Sequence, residues 1–177
     1  LLSGTGVVLL MYCLFLALEN QGDYLNADTD TMNSYAFHTT VRDMFMMEKN
    51  FTVLTILFDD WNEIVARFGP HYGKELIRTL SQYLKDVYGM PLYYPMTGCP
   101  TLIAERLGAE SVASQLGAKL NTLGEINGVS VELKWHICLT DYPARGASVS
   151  EVERNINFFA THPFDEQLGQ LIPVRRP

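Results

Sequence analysis

Residues 51–74 read FTVLTILFDDWNEIVARFGPHYGK, and they change backbone period twice within a short span. The run 51–58 is rich in β-branched and aromatic residues and is short enough for a buried strand. Asp59 and Asp60 end it and open a helix through Phe68, where carboxylates at the first turn suit the helix dipole. The stretch Gly69-Pro70-His71-Tyr72-Gly73 breaks that helix, since proline cannot continue the hydrogen-bond ladder and glycine permits the turn. A second helix follows over 74–87, with Leu76, Leu80, Tyr83, Leu84 and Val87 inward. A buried strand feeding paired helices predicts a sheet covered by helices.

Toward the N-terminus, Phe37, Val41, Met44 and Phe45 recur at spacings of three and four. They predict a helix from Asn33 or Ser34, either of which can cap it, to about Lys49. Met44, Met46 and Met47 beside Phe45 read as core or dimer packing. Residues 19–33 are polar and turn-rich, with Asp23, Asp28 and Asp30, and read as a connector. Residues 1–18 carry no charge and would reach about 27 Å as a helix, close to the thickness of a hydrocarbon core. A transmembrane or signalling helix is the leading expectation there. A signal peptide and a buried or dimerising helix of a soluble protein stay open, and the flank lacks the Lys and Arg of a cytoplasmic side.

Toward the C-terminus, extended pieces at 91–94 and 101–104 flank a turn over 95–100. A helix over 109–123 has Val112, Leu116 and Leu120 in register. Val129, Val131, Leu133, Trp135, Ile137 and Leu139 alternate, which predicts one half-buried strand over 129–139. Ser148 or Ser150 then caps a helix with Val152, Ile156, Phe158 and Phe159 apolar. No period is visible after His162-Pro163, so 163–177 reads as a tail or the start of a linker to a further domain. The class is α/β (α+β), a mixed sheet flanked by helices.

The chain has 177 residues and a formal net charge of −7. Nothing in it offers the clustered Lys and Arg that displace counterions from nucleic acid, so no nucleic-acid partner is expected. Cys13, Cys99 and Cys138 are too scattered for a disulfide framework or a zinc site, and read as reduced and mostly buried.

Four stretches together resemble the GGDEF domain, the diguanylate cyclase fold. Asn26 to Phe37 (NADTDTMNSYAF) lines up with D-x-L-T-G-L-x-N-R-R-A-F, matching at Thr29, Asn33, Ala36 and Phe37. Leu57 to Lys74 lines up with D-x-D-x-F-K-x-I-N-D-x-x-G-H-x-x-G-D, matching at Asp59, Ile64, Gly69 and Gly73, with Trp61 at the aromatic position. The signature turn falls on Thr97-Gly98-Cys99-Pro100-Thr101. His136 to Pro143 is similar to the later S-I-G-V-A-x-Y-P strand. The resemblance spans 26–162 and implies a mostly antiparallel sheet of nucleotide-cyclase type, with the domain itself over 34–162.

The departures bear on function. The resemblance puts the two magnesium-holding carboxylates at Leu57 and Cys99, and neither offers the hard oxygen that magnesium needs. Phosphoryl transfer rests largely on metal charge and positioning, so losing both removes most of the catalytic means. The signature glutamate becomes Pro100. The guanine-reading Asn and Asp fall on Val65 and Lys74, which cannot accept from a guanine edge. The R-x-x-D of the inhibitory product site falls on Tyr88 and Pro91. The resemblance with these losses implies an inactive signalling domain at the cytoplasmic face of the membrane. Its expected partners are other domains of the same protein or a second copy, and it needs no cofactor.

Two alternatives remain. One is GTP bound as an effector without turnover, with room for phosphates at Gly69, Gly73 and Gly98 beside Lys74. The other is an active cyclase with ligands displaced to Asp59 and Asp60, a slip of two that keeps the strand's faces. The plainer reading has Asp59 and Asp60 as a strand end. It leaves Glu63, His71 and His136 on the surface, Cys99 inert, and Trp61 and Trp135 as core anchors.

Overall fold

The computed structural model of the chain describes residues 24–161, apart from 124 and 127, and the backbone of Leu171–Val174. The helix expected over 1–18 and most of the tail lie outside the described residues. Among the described residues no helix is long and apolar enough to cross a membrane.

The stretch read as a connector contributes two short strands, β1 (Leu25–Asn26) and β2 (Thr31–Met32), paired antiparallel. Strands of two residues are too short to leave a period in the sequence. Asp30, at φ 53°, turns the chain back in the left-handed conformation that Asp tolerates better than most residues. Helix α1 (Ser34–Met46) follows, and the Asn33 side chain accepts from the Ala36 N–H at 2.9 Å, satisfying one of the helix's free donors. Met44 and Phe45 pack against the core, whereas Met46 and Met47 are exposed, so core packing, one of the two roles expected of the four residues, holds for two of them.

Strand β3 (Phe51–Phe58) is buried throughout, as its composition predicts. Helices α2 (Trp61–Phe68) and α3 (Pro70–Tyr88) follow, and the break between them is narrower than expected. Gly69 alone makes it, at φ 87°, because Pro70 takes the first helical position, where its missing N–H costs nothing. Strands β4 (Tyr93–Met96) and β5 (Cys99–Glu105) close on Thr97-Gly98 instead of a turn over 95–100. Gly98 supplies the positive φ (77°) that a two-residue hairpin needs. Helix α4 (Ala109–Leu120) then leads to the largest departure from expectation. The alternating run over 129–139 is two objects: β7 (Val129–Ser130), paired with β6 (Glu125–Ile126), and then β8 (Trp135–Tyr142). Alternation reports which side chains face inward, and a small hairpin beside a longer strand satisfies it as well as one strand does. Helix α5 (Val149–Thr161) follows, and β9 (Leu171–Val174) arises in the stretch read as tail.

The main sheet has the order β1-β2-β4-β5-β3-β8-β9. Strand β3 pairs antiparallel with both β5 and β8, while β2–β4 and β8–β9 are parallel. This is the mixed, mostly antiparallel sheet expected. Because side chains alternate along β3, it feeds two cores. Leu54, Ile56 and Phe58 meet α2, α3 and α4 through Ile64, Leu76, Leu80 and Leu116. Phe51, Val53 and Leu57 meet α1 and α5 through Phe37, Val41, Val152 and Ile156. Burial on both faces explains why 51–58 is apolar without alternation.

Candidate functional site

The antiparallel register of β3 and β5, with Thr55 opposite Thr101, carries the end of β3 to the Thr97-Gly98 turn. Residues 57–60 therefore lie beside the signature turn, as the quoted motifs require. They line a cleft of about 690 Å³ with Glu63, Thr97 and His136, and with Phe159 and Thr161 from the end of α5.

Leu57 and Cys99, the positions to which the resemblance assigns magnesium ligands, are 6% and 4% exposed. Both are packed into the apolar core beneath α1 and α5, with Tyr93, Cys138 and Phe159. Burial pushes the Cys99 thiol up to about 11, so at neutral pH it is a protonated, weakly polar filler and no anion. A hydrocarbon and a protonated thiol do not fit a magnesium ion, which takes hard oxygen donors. Pro100 is buried inside β5.

Asp59 and Asp60 line the cleft together, but they are engaged differently. The Asp59 carboxylate meets His136 Nε2 at 3.0 and 3.1 Å through its two oxygens. Asp60 stands exposed at the start of α2. Among the described residues no three His, Cys, Asp or Glu side chains gather as a metal cluster. His136, expected at the surface, has a side chain only 14% exposed, because β8 carries it into the cleft wall opposite Asp59. Glu63 and His71 are exposed as read.

The two positions assigned to guanine lie together on a smaller cavity of about 210 Å³, with Asp28, Thr29, Trp61 and Tyr94. Val65 gives it an apolar wall. Lys74 Nζ meets the Asp28 carboxylate at 2.5 Å, and that hydrogen bond with its charge holds the Asp28 carboxyl below the ordinary carboxylate range. The space expected at Gly73 and Gly98 is taken by Trp61. A β-carbon on Gly73 would lie 3.1 Å from the indole, and one on Gly98 only 2.9 Å from it. Gly69 stays open. Trp61 is therefore a half-buried wedge between α3 and the signature turn, and Trp135 is a fully buried anchor. Gly98 N–H donates to the Tyr94 hydroxyl at 2.8 Å, which ties the turn to its own strand.

Tyr88 ends α3, with its hydroxyl donating to Gln115 on α4, and Pro91 lies three residues on, outside regular structure. Neither offers a charged group. The His136–Asp59 pair, the Asp28–Lys74 pair and the Trp61 wedge are not legible in the sequence, since each joins elements that no local pattern connects.

No family model and no curated protein matches the sequence. Solved structures do match in shape. The coiled coil and GGDEF domain of DgcB from Caulobacter crescentus, solved with c-di-GMP, superposes with a TM-score of 0.73 at 11% identity, over 96% of this chain and 95% of that one. Diguanylate cyclase SiaD from Pseudomonas aeruginosa, solved with its activator SiaC, gives 0.70 at 12% identity, over 86% of this chain and 62% of that one. The FimX GGDEF domain from Pseudomonas aeruginosa gives 0.65 at 15% identity, over 85% of this chain and 99% of that one.

Proposed function

We propose that this chain, which has the fold of GGDEF domains, is a catalytically inactive regulatory or interaction domain in membrane-associated, cyclic-di-GMP-type signalling. One observation carries the reading. The two positions that would supply magnesium ligands are Leu57 and Cys99, both buried at the floor of the cleft and packed with an apolar cluster. A metal-dependent phosphoryl transfer has no oxygen ligands to use there. The cavity holding Val65 and Lys74 supports the same reading, because it presents a methyl wall and an engaged ammonium where a guanine edge would seek acceptors.

The domain acts by contact with other domains of its own protein, with a second copy, or with a separate protein. SiaD in complex with an activator protein is an instance of such a partnership in this fold. The uncharged stretch 1–18 would anchor it to the cytoplasmic membrane, leaving the folded part in the cytoplasm.

The test is titration of the purified chain with GTP and magnesium, following heat by calorimetry and product by chromatography. Neither heat nor product is expected. Product formation would overturn the reading and return the metal role to Asp59 and Asp60. Heat without product would replace it with an effector site for GTP.

A further inference from the structure

Helix α3 carries Lys74, Arg78, Ser81 and Lys85 at spacings of four, three and four, which places all of them on one face. That whole face grips a single short object, the turn between β1 and β2. Lys74 Nζ meets the Asp28 carboxylate at 2.5 Å, and Arg78 donates to the Asp28 carbonyl at 2.6 Å. The Ser81 hydroxyl donates to the Asp30 carbonyl at 2.5 Å, and Lys85 meets the Asp30 carboxylate at 2.8 Å. By contrast, the hairpin's backbone attachment to the rest of the sheet is slight, with β2 pairing with β4 only at Met32 opposite Tyr93, although Thr29 and Thr31 are buried and Met32 packs on the apolar core. Beneath the turn lies the 210 Å³ cavity, with Asp28 and Thr29 as one wall and Trp61, Val65 and Tyr94 as the others.

We propose that the β1–β2 hairpin is an ionic strap, held shut over this cavity by the basic face of α3, and that it opens as a unit apart from the core. Both partners of its outer ion pair are departures from the quoted motifs, since Asp28 stands at a leucine position and Lys74 at an aspartate position. The strap does not depend on the domain being inactive. Its charged side chains are each between a third and two thirds exposed, so salt screens them, whereas salt does not weaken the apolar contacts of β3. Because residue 24 leads directly into β1, at the edge of the sheet, displacement of the chain at that point would pull on the strap before it reached the central strands.

The test is amide hydrogen exchange of the full chain, comparing peptides over 24–33 with peptides from β3 and β5. The strap is expected to exchange faster than β3, and faster still when sodium chloride is raised at fixed pH. Asp28→Asn with Asp30→Asn should speed strap exchange by about fivefold, abolish the salt response and leave β3 unchanged. Acrylamide should then quench tryptophan emission more strongly, because Trp61 faces the cavity and Trp135 is sealed. Reversing the outer pair, Asp28→Lys with Lys74→Asp, should restore protection lost by Asp28→Lys alone. Strap and β3 exchanging at one rate would overturn the proposal, as would a strap indifferent to salt and to both carboxylates, quenching that does not change, or a reversal that restores nothing.

Discussion

A β-carbon on Gly98 would lie 2.9 Å from Cδ1 of Trp61, a separation that real β-carbons essentially never show. Gly98 also holds φ at 77°, where an L side chain is strained. Gly98→Ala therefore meets two independent penalties, backbone and steric, and should lose about 2–4 kcal/mol of stability. Urea unfolding measures it. Adding Trp61→Ala should recover the steric part and leave the backbone part, so a non-additive double mutant is expected. A Gly98→Ala protein within about 0.5 kcal/mol of wild type would show that the wedge does not press on the turn.

Tyr72 is 4% exposed, and its hydroxyl finds no hydrogen-bond partner among the described residues. Burial accordingly raises its pKa. An unsatisfied buried hydroxyl costs roughly 1–3 kcal/mol of desolvation, and removing it leaves the ring packed on Phe68. Tyr72→Phe should be neutral or stabilising by up to about 1 kcal/mol, read as a raised thermal midpoint. A loss above about 1 kcal/mol would mean the hydroxyl has a partner after all.

How much was legible in the sequence follows from which interactions are local. Strand β3 appears at its full extent because burial on both faces makes eight consecutive residues apolar or small, a signal internal to the segment. The helices appear because each buries one stripe. The hairpins β1–β2 and β6–β7 do not, since two-residue strands carry no period and their turns rest on single left-handed residues, Asp30 and Gly128. For the site, motif order places residues 57–60 beside 97–101, and the structure brings those stretches to one cleft. That Lys74 is engaged by Asp28 was beyond reach, because 46 residues separate them and only the packing of the β1–β2 hairpin on α3 joins them.

Leu57 tests whether its place near the turn is core or vestigial ligand. It is 6% exposed and packs among Tyr93, Cys138 and Phe159, so Leu57→Asp would put a carboxylate in an apolar cluster, across the ladder from His136, which already pairs with Asp59. A loss on the order of 3 kcal/mol or more is expected, or protonation of the new carboxyl with loss of packing. Thermal unfolding with and without 10-fold excess magnesium, on the order of millimolar, checks it by ligand linkage. No magnesium-dependent rise in midpoint is expected, for Leu57→Asp alone or combined with Cys99→Glu. A rise specific to magnesium would mean that the cleft still assembles a divalent site.

The two buried thiols set a further expectation, on the alkaline side. Burial pushes Cys99 from its ordinary 9.0 to about 11. Cys138 goes to about 12, through burial first and then the neighbouring Cys99 charge. In the unfolded chain both ionise near 9, whereas in the folded chain they stay protonated. Their stabilising contribution is therefore whole below pH 9 and declines as pH climbs through 11 to 12. Unfolding free energy should fall with pH above 9, and the fall should be shallower in Cys99→Ala with Cys138→Ala, where the two buried thiols no longer contribute. The same burial predicts that neither thiol reacts with a maleimide at pH 7 in the native protein and that both react at once on unfolding. Equal slopes in the two proteins, or fast native labelling at Cys99, would mean that the cleft admits water to the floor beneath the signature turn. In that case Cys99 would be a reactive group of the site and not a plug in its core.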